Sequence, residues 1–313
     1  MDSISDIIEL QEFDNLELIA RQVVEGFITG LHKSPFHGFS VEFAEHRIYN
    51  QGESTKHIDW RLFGRTDKLF VKRYEEETNL RCHILIDTSP SMLFPFSEPK
   101  LQSKLAFSVY AASALSYLMR RQRDAVGLAT FSDKVDVFTP AKVAISHAKL
   151  IYHELSKLLN YTLNTNINNP PQPTDSLIAE SLNNLAERMN KRSLVIIFSD
   201  MFYTGAGTNL FNALQHLRYN GHEVILFHVT YKQYENLLNY KNRLYRFIDL
   251  ETGATFKLNP NEIREQYISE TTAYIQELKL KCGQFRIDFV EADVANSFRD
   301  VLVPYLLKRG KLF

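Results

Sequence analysis

Four apolar runs, each stopping where polar residues begin, constrain this chain more than any other feature. They occupy 83–86 (closing on Asp87), 125–131, 194–199 (closing on Asp200) and 224–230. Short apolar runs bounded by loops read as strands covered on both faces. Between and around them, apolar positions recur at helical spacing over 101–121, 144–159, 176–190 and 209–220, the last closed by Gly221. Strand alternating with helix predicts an α/β domain with a doubly wound, mostly parallel sheet and helices on both faces. In such sheets ligands bind beyond the carboxyl ends of the strands.

The rhythm changes outside that block. The segment 135–138 is expected to pair with 125–131 through Ser132-Asp133-Lys134. Segments 245–250 and 255–258 flank Glu251-Thr252-Gly253-Ala254, a hairpin inserted near 244–258. A helix over 262–281, a strand over 285–290 and a closing helix over 296–308 complete the expected order. Residues 1–78 differ in texture: a helix over 16–31, strands over 39–43 and 69–74, and a turn at Tyr49-Asn50-Gln51-Gly52. The expected division is therefore an N-terminal helix and β appendage, 1–78, packed on a main domain, 79–313. Arg47, Asp59, Trp60, Arg65 and Lys72 read either as a partner surface or, the favoured expectation, as a salt-bridged clamp around the single tryptophan that docks this segment onto the main domain.

Charge and cysteine usage narrow the partners. A formal net charge of -1 over 313 residues supplies no basic excess for nucleic acid or an anionic membrane. The two cysteines, Cys82 and Cys282, lie far apart and read as reduced core thiols rather than a disulfide framework. The apolar stretch 106–119 is broken by serines and tyrosines and falls short of the ~20 residues of a membrane span. The first ten residues carry acids and no base, unlike a secretory signal, so a cytoplasmic location is expected.

Three loops at the predicted carboxyl edge carry oxygen donors: Asp87-Thr88-Ser89-Pro90-Ser91-Met92, Pro173-Thr174-Asp175-Ser176 and Ser199-Asp200-Met201. Hard cations take oxygen ligands and keep several waters. Ser89 and Ser91 alternate in a tight loop, so both hydroxyls can face one ion. Thr174 can add a third hydroxyl from another loop, and Asp87 and Asp200 can add negative charge directly or through water. Any one of these residues alone reads as a helix cap. Five of them at one sheet edge read as a site for Mg2+, or for another divalent cation such as Mn2+ or Ca2+. Met92, Met201, Phe202 and Tyr203 lie beside them and offer apolar anchors for a partner.

Asp-x-Ser-x-Ser at Asp87, Ser89 and Ser91, with Thr174 and Asp200, looks like the metal-ion-dependent adhesion site of von Willebrand factor A domains. A second pattern accompanies it. Gly38, Glu42-Phe43, Glu45, Arg47, Tyr49, Gly52, Ile58-Asp59-Trp60, Arg65, Tyr74-Glu75 and, later, Phe247-x-Asp249-x-Glu251-Thr252-Gly253 resemble the bacterial family known only as domain of unknown function fifty-eight. Spacing and order both agree. The departures are Glu53-Ser54-Thr55-Lys56, in place of a stretch richer in Asp and Arg, and the lack of a glycine pair before Thr174.

The resemblance implies a von Willebrand factor A-type fold. It also implies a non-enzymatic adaptor that binds a partner's Asp or Glu through the cation. Families of this kind are typically encoded beside MoxR-type AAA+ ATPases, so the implied partner is such an ATPase or its client, in chaperone or maturation tasks. The alternative is a magnesium-dependent hydrolase, phosphatase-like, with Asp87 as nucleophile. That chemistry wants a second acid two residues on, where this chain has Ser89. No zinc-ligand spacing, Gly-rich phosphate loop or Gly-x-Ser-x-Gly elbow is present.

Overall fold

A computed structural model describes residues 16–28, 42–49, 58–75, 80–95, 102–164, 178–202 and 207–310. The chain divides into two compact units, Phe36–Leu80 and the remainder, which joins Met1–Pro35 to Arg81–Phe313.

The remainder opens with helix α1 (Leu16–Ile28). Within the small unit, strands β1 (Glu42–Ile48) and β2 (Phe70–Glu75) pair antiparallel, with an irregularity between Phe43 and Glu45. Between them lies a short helix, α2 (Trp60–Thr66). The sequence reading missed this helix, although its signal is plain: the Asp59 carboxylate accepts from the Arg61 and Leu62 amides at 3.0 and 3.1 Å, which is N-capping. Trp60 is 63% exposed, so it is not the buried centre of the expected clamp.

The larger unit holds a six-stranded sheet. Its strands are β3 (Arg81–Asp87), β4 (Ala125–Phe131), β5 (Val135–Phe138), β6 (Leu194–Ser199), β7 (Glu223–Thr230) and β10 (Asp288–Asp293). They run in the order β10-β7-β6-β3-β4-β5, parallel except for β5. A separate antiparallel hairpin pairs β8 (Tyr245–Ile248) with β9 (Thr255–Leu258), as expected.

Helices α3 (Lys104–Arg121), α4 (Ile145–Asn164), α5 (Ile178–Arg188), α6 (Gly207–Tyr219), α7 (Pro260–Gln284) and α8 (Phe298–Gly310) cover the sheet. Leu85, Ala129, Val195, Ile197 and Leu226 pack with Leu182 and Leu214 of α5 and α6 and with Leu278 of α7. Alternation sends the intervening residues, such as Ile84, Ile196 and Phe227, to the face covered by α3 and α8, where Phe227 meets Tyr305 edge-to-face. Each such fully buried side chain contributes roughly 1.5–3 kcal/mol. The doubly wound, mostly parallel architecture is the expected one.

Three differences have physical reasons. Helix α1 belongs to the larger unit, not to an appendage: Glu17 pairs with Arg120 at 2.7 Å, and the Tyr117 hydroxyl donates to Glu25 at 3.2 Å. The last strand begins at Asp288 rather than at residue 285, because α7 runs to Gln284 and Arg286 then turns through a positive φ of 56°. Strand β1 extends past the expected 39–43, whose first residues lie outside those described, as do most of the expected turn at Tyr49–Gly52 and the Gly38 and Gly52 positions of the family pattern. Cys82 and Cys282 are both buried as thiols, and burial pushes the Cys282 thiol up to about 12. Among the described residues no helix is long and apolar enough to cross a membrane.

Candidate metal and partner site at the sheet switch point

The strand order reverses between β3 and β6, and a crevice forms outside the carboxyl ends of strands at such a point. Strand β3 ends on Asp87 and β6 on Ser199, directly before Asp200. Topology therefore brings two loops more than a hundred residues apart to one place.

Asp87 is fully buried, and both of its oxygens are engaged. Oδ1 accepts the Ser89 amide at 2.9 Å, and Oδ2 accepts the Ser199 hydroxyl at 2.5 Å. The chain then enters a short 3-10 turn, Pro90–Leu93, which sets the Ser89 and Ser91 hydroxyls 3.1 Å apart. Asp200 is 6% exposed, accepts the Phe202 amide at 2.9 Å and is also hydrogen-bonded by Ser91. Burial, then repulsion from Asp200, raises the Asp87 carboxyl to about 7. Burial pushes Asp200 up as well, but the Lys104 ammonium beside it more than offsets this and holds it below the usual range.

Lys104 is the element that sequence reading missed. It is the first residue of α3 after the Ser103 cap and is 1% exposed. A cation at a helix N-terminus opposes the helix dipole, so it needs carboxylates. Its Nζ donates to Asp200 Oδ2 at 2.7 Å and to Glu235 Oε1. Glu235 sits in a π-helical turn, Lys232–Asn236, and its other oxygen accepts the Tyr231 amide at 2.6 Å. The signal was available: a lysine opening an otherwise apolar helix is out of place unless it is paired.

Glu251 also meets this loop. Its Oε1 accepts the Ser91 amide at 3.0 Å, and the side chain is 3% exposed. The β8–β9 turn is shaped to present it. Asp249 accepts from the Glu251 amide at 2.9 Å and the Thr252 hydroxyl at 2.6 Å. Gly253 donates to the Asp249 carbonyl at 2.8 Å from a φ of 74°, a backbone that favours glycine. Aromatic rings link this hairpin to the loop that follows β3: Phe94 meets Tyr231 at 6.2 Å, Tyr231 meets Tyr234 and Tyr234 meets Tyr240, each at 5.2 Å, and Tyr240 meets Phe247 at 5.4 Å.

The expected ligands Asp87, Ser89, Ser91 and Asp200 thus stand together, while Thr174 lies outside the described residues. Of the expected partner contacts, Tyr203 also lies outside them, and Phe202 is 50% exposed. Met92 and Met201 require correction: both are 0% exposed and belong to the core, because the turns that aim the polar groups into the crevice turn these side chains inward. A cleft of about 420 Å³ opens beside the loop, lined by Thr88, Pro90, Thr130, Ser132 and Tyr161 among others.

The donor set can be weighed against a hard divalent cation. Among the described residues no three His, Cys, Asp or Glu side chains converge as a cluster that could hold a metal. An ion here would rest on the paired hydroxyls of Ser89 and Ser91 with Asp87 and Asp200, in part through water, which suits magnesium.

A family model described as "Protein of unknown function DUF58" matches residues 45–277. The chain belongs to that family. The uncharacterized protein Rv1480 of Mycobacterium tuberculosis (strain ATCC 25618 / H37Rv) is 23% identical over 185 residues, covering 59% of this chain and 55% of that protein. The uncharacterized protein Mb1516 of Mycobacterium bovis (strain ATCC BAA-935 / AF2122/97) matches to the same extent. The chain thus spans about half the length of the curated relatives it matches. Among solved structures, the conserved hypothetical protein BatB from Bacteroides thetaiotaomicron aligns with a TM-score of 0.44 at 18% identity, covering 74% of this chain and 99% of that one. The SpRpn10 VWA domain aligns with a TM-score of 0.34 at 11% identity, covering 72% and 94%. The sheet, with one antiparallel edge strand and helices on both faces, is a doubly wound α/β fold.

Proposed function

We propose that this DUF58 protein is a metal-dependent, non-enzymatic interaction module. Asp87, Ser89, Ser91 and Asp200, joined by Thr174, hold a divalent cation, magnesium in the first instance. The cation in turn binds an Asp or Glu of a protein partner. The observation that carries the reading is the convergence of the two loops at the switch point, where the Ser89 and Ser91 hydroxyls lie 3.1 Å apart beside two buried aspartates. When bound, the cation supplies a charge that prefers an anionic oxygen to a water dipole. Phe202, half exposed at the rim, is suited to contact the partner. The partner proposed from the family resemblance is a MoxR-type AAA+ ATPase or its client.

The hydrolase alternative gains little from the geometry. Aspartyl chemistry of that kind wants a second acid two residues after the nucleophile, and that place is held by the Ser89 hydroxyl. Calorimetric titration with magnesium is the direct test. Wild type is expected to bind, and Asp87→Ala to lose binding with its circular dichroism unchanged. Equal affinity in the two sinks the ligand assignment. Turnover of phosphate esters that vanishes in Asp200→Ala overturns the non-enzymatic reading.

A further inference from the structure

The two faces of the β8–β9 hairpin differ. Exposure alternates along its first strand: Leu244, Arg246 and Ile248 are exposed, while Tyr245 and Phe247 are half-buried. The inner pair joins the ladder of rings, with Tyr240 5.3 Å from Tyr245 and 5.4 Å from Phe247. On the outer face Leu244 is 70% and Ile248 45% exposed, one on either side of Arg246. The register sets Arg246 directly opposite Lys257. Like charges directly opposite one another destabilise a strand pair, and a two-stranded hairpin has little stability to spare. Among the described residues neither Arg246 nor Lys257 has an ion pair. The hairpin's own acids do not compensate: Asp249 holds the Glu251 amide and the Thr252 hydroxyl, and Glu251 is hydrogen-bonded by the Ser91 amide and hydroxyl. One lysine is enough to keep a strand edge from aggregating. A second cation directly across from it, flanked by two exposed apolar side chains, exceeds that purpose.

We infer that the outer face of this hairpin, Leu244, Arg246 and Ile248 with Lys257, docks an acidic segment of a protein partner whose apolar residues lie on the same side as its acids. A carboxylate set between Arg246 and Lys257 relieves their repulsion, and Leu244 and Ile248 bury apolar area against the residues beside it. The face is too short for other anionic partners. Four residues in each strand span ~13 Å. A net charge of -1 supplies no wider basic field of the kind that holds nucleic acid or an anionic membrane. The inference does not depend on a cation at Asp87 and Ser89. The surface is nonetheless tied to that loop, because Glu251 at the hairpin tip accepts the Ser91 amide at 3.0 Å.

The test uses the full chain and a short fluorescent peptide of repeated Glu-Ser-Leu-Ser, which in extended form sets Glu and Leu on one face. Fluorescence anisotropy is read in EDTA and again in magnesium. The peptide is expected to bind in EDTA, and a counterpart with Gln for Glu is not. Arg246→Glu or Lys257→Glu is expected to weaken binding about tenfold or more, the scale of one charge-assisted contact, while Lys257→Arg keeps it. Lys257→Glu also turns a repelling cross-strand pair into an attracting one. Amides of residues 245–258 are therefore expected to exchange about threefold more slowly in that variant than in wild type. Weaker binding by a firmer hairpin separates docking from a folding defect. If the peptide binds wild type and both charge-reversal variants equally, or binds none of them, the inference is wrong. Binding seen only in magnesium, lost in Asp87→Ala and kept in the hairpin variants, assigns the acid to the loop alone: it rejects the hairpin surface and leaves the proposed function standing. Vesicles of equal phosphatidylcholine and phosphatidylserine, or a single-stranded oligonucleotide, that bind through Arg246 and Lys257 where the peptide does not reject an acidic protein segment as the occupant.

Discussion

Strand β3 carries His83 in its first half and ends on Asp87, and both side chains are wholly buried. The two ends of this one strand treat a buried polar group in opposite ways. Neither nitrogen of His83 has a hydrogen-bond partner among the described residues, and the ring lies flat against Phe138 at 6.0 Å. Burial, followed by the charges of His222 and Arg81, lowers its pKa to about 4, so the ring is neutral and packs as an aromatic. At the other end a buried ammonium and two carboxylates are held together rather than left without partners. Lys104, Asp200, Glu235, Ser199 and Ser91 interlock around the crevice. Polar burial with no partner marks packing, whereas polar burial with charged, converging partners marks a place prepared for something ionic.

The largest test of that contrast is Lys104→Met. Removing the ammonium leaves Asp200 and Glu235 buried without a counter-charge, and breaking a buried pair in this way costs about 3–5 kcal/mol. Urea unfolding at neutral pH measures it, and added magnesium is expected to recover part of the loss. His83→Leu at the same pH is expected to cost far less, because no charge is uncovered. A Lys104→Met loss no larger than that of His83→Leu would break the comparison.

Next in size is the response to acid. His83 binds its proton at about 4 in the fold, against 6.5 for the ordinary group. Between those values the unfolded chain binds more protons, so stability is full above 6.5 and falls as pH drops toward 4. The shift corresponds to roughly 3 kcal/mol. Other groups titrate in the same window: burial also lowers His222 and His228, while Asp87, raised to about 7, works in the opposite direction. The quantity to read is therefore the difference between wild type and His83→Leu. The wild-type stability curve is expected to be steeper between neutral pH and pH 4. Parallel curves would mean that the ring is not held neutral by burial.

How legible all this was in the sequence depended on whether a signal was local. The runs 194–199 and 224–230 announced buried parallel strands, and Asp87, Ser89, Ser91 and Asp200 could be placed at strand ends because strands and caps are properties of neighbouring residues. Lys104, Glu235 and Glu251 join the site only through tertiary folding, from a helix start, a π turn and a hairpin tip. Met92 and Met201 misled for the converse reason. Proximity in sequence to a polar loop says nothing about which way alternate side chains point, and Met201 takes a φ of 50° that turns it inward.

A smaller effect probes the packing end of β3. A Cβ at Gly127 would sit 2.6 Å from the Thr139 carbonyl oxygen and 2.8 Å from His83 Nδ1. The first of these is backbone and cannot swing away. Gly127→Ala is expected to cost about 1–3 kcal/mol as β4 and the Thr139 backbone are pushed apart, read as a lower urea midpoint. It should leave magnesium affinity untouched, since the strain lies at the far end of the strand from Asp87. A change in metal binding would show that the two ends are mechanically coupled.

The smallest expected change in stability is at Phe202. Its ring is 50% exposed, while its own amide is fixed on the Asp200 carboxylate at 2.9 Å. Truncating the ring keeps that hydrogen bond and uncovers no core, so Phe202→Ala is expected to move stability by no more than about 0.5 kcal/mol. Its neighbour Met201 is fully buried against α5 and α6, and Met201→Ala there should cost about 2–5 kcal/mol. Partner binding should rank the two the other way. In surface plasmon resonance with magnesium present, Phe202→Ala weakens the complex because an exposed aromatic at the rim of a charged crevice supplies apolar contact area to the partner. Folded Met201→Ala protein binds nearly as wild type. If Phe202→Ala binds the partner unchanged, the interface does not cross this rim, and the cleft beside Thr88 and Tyr161 becomes the surface to vary next.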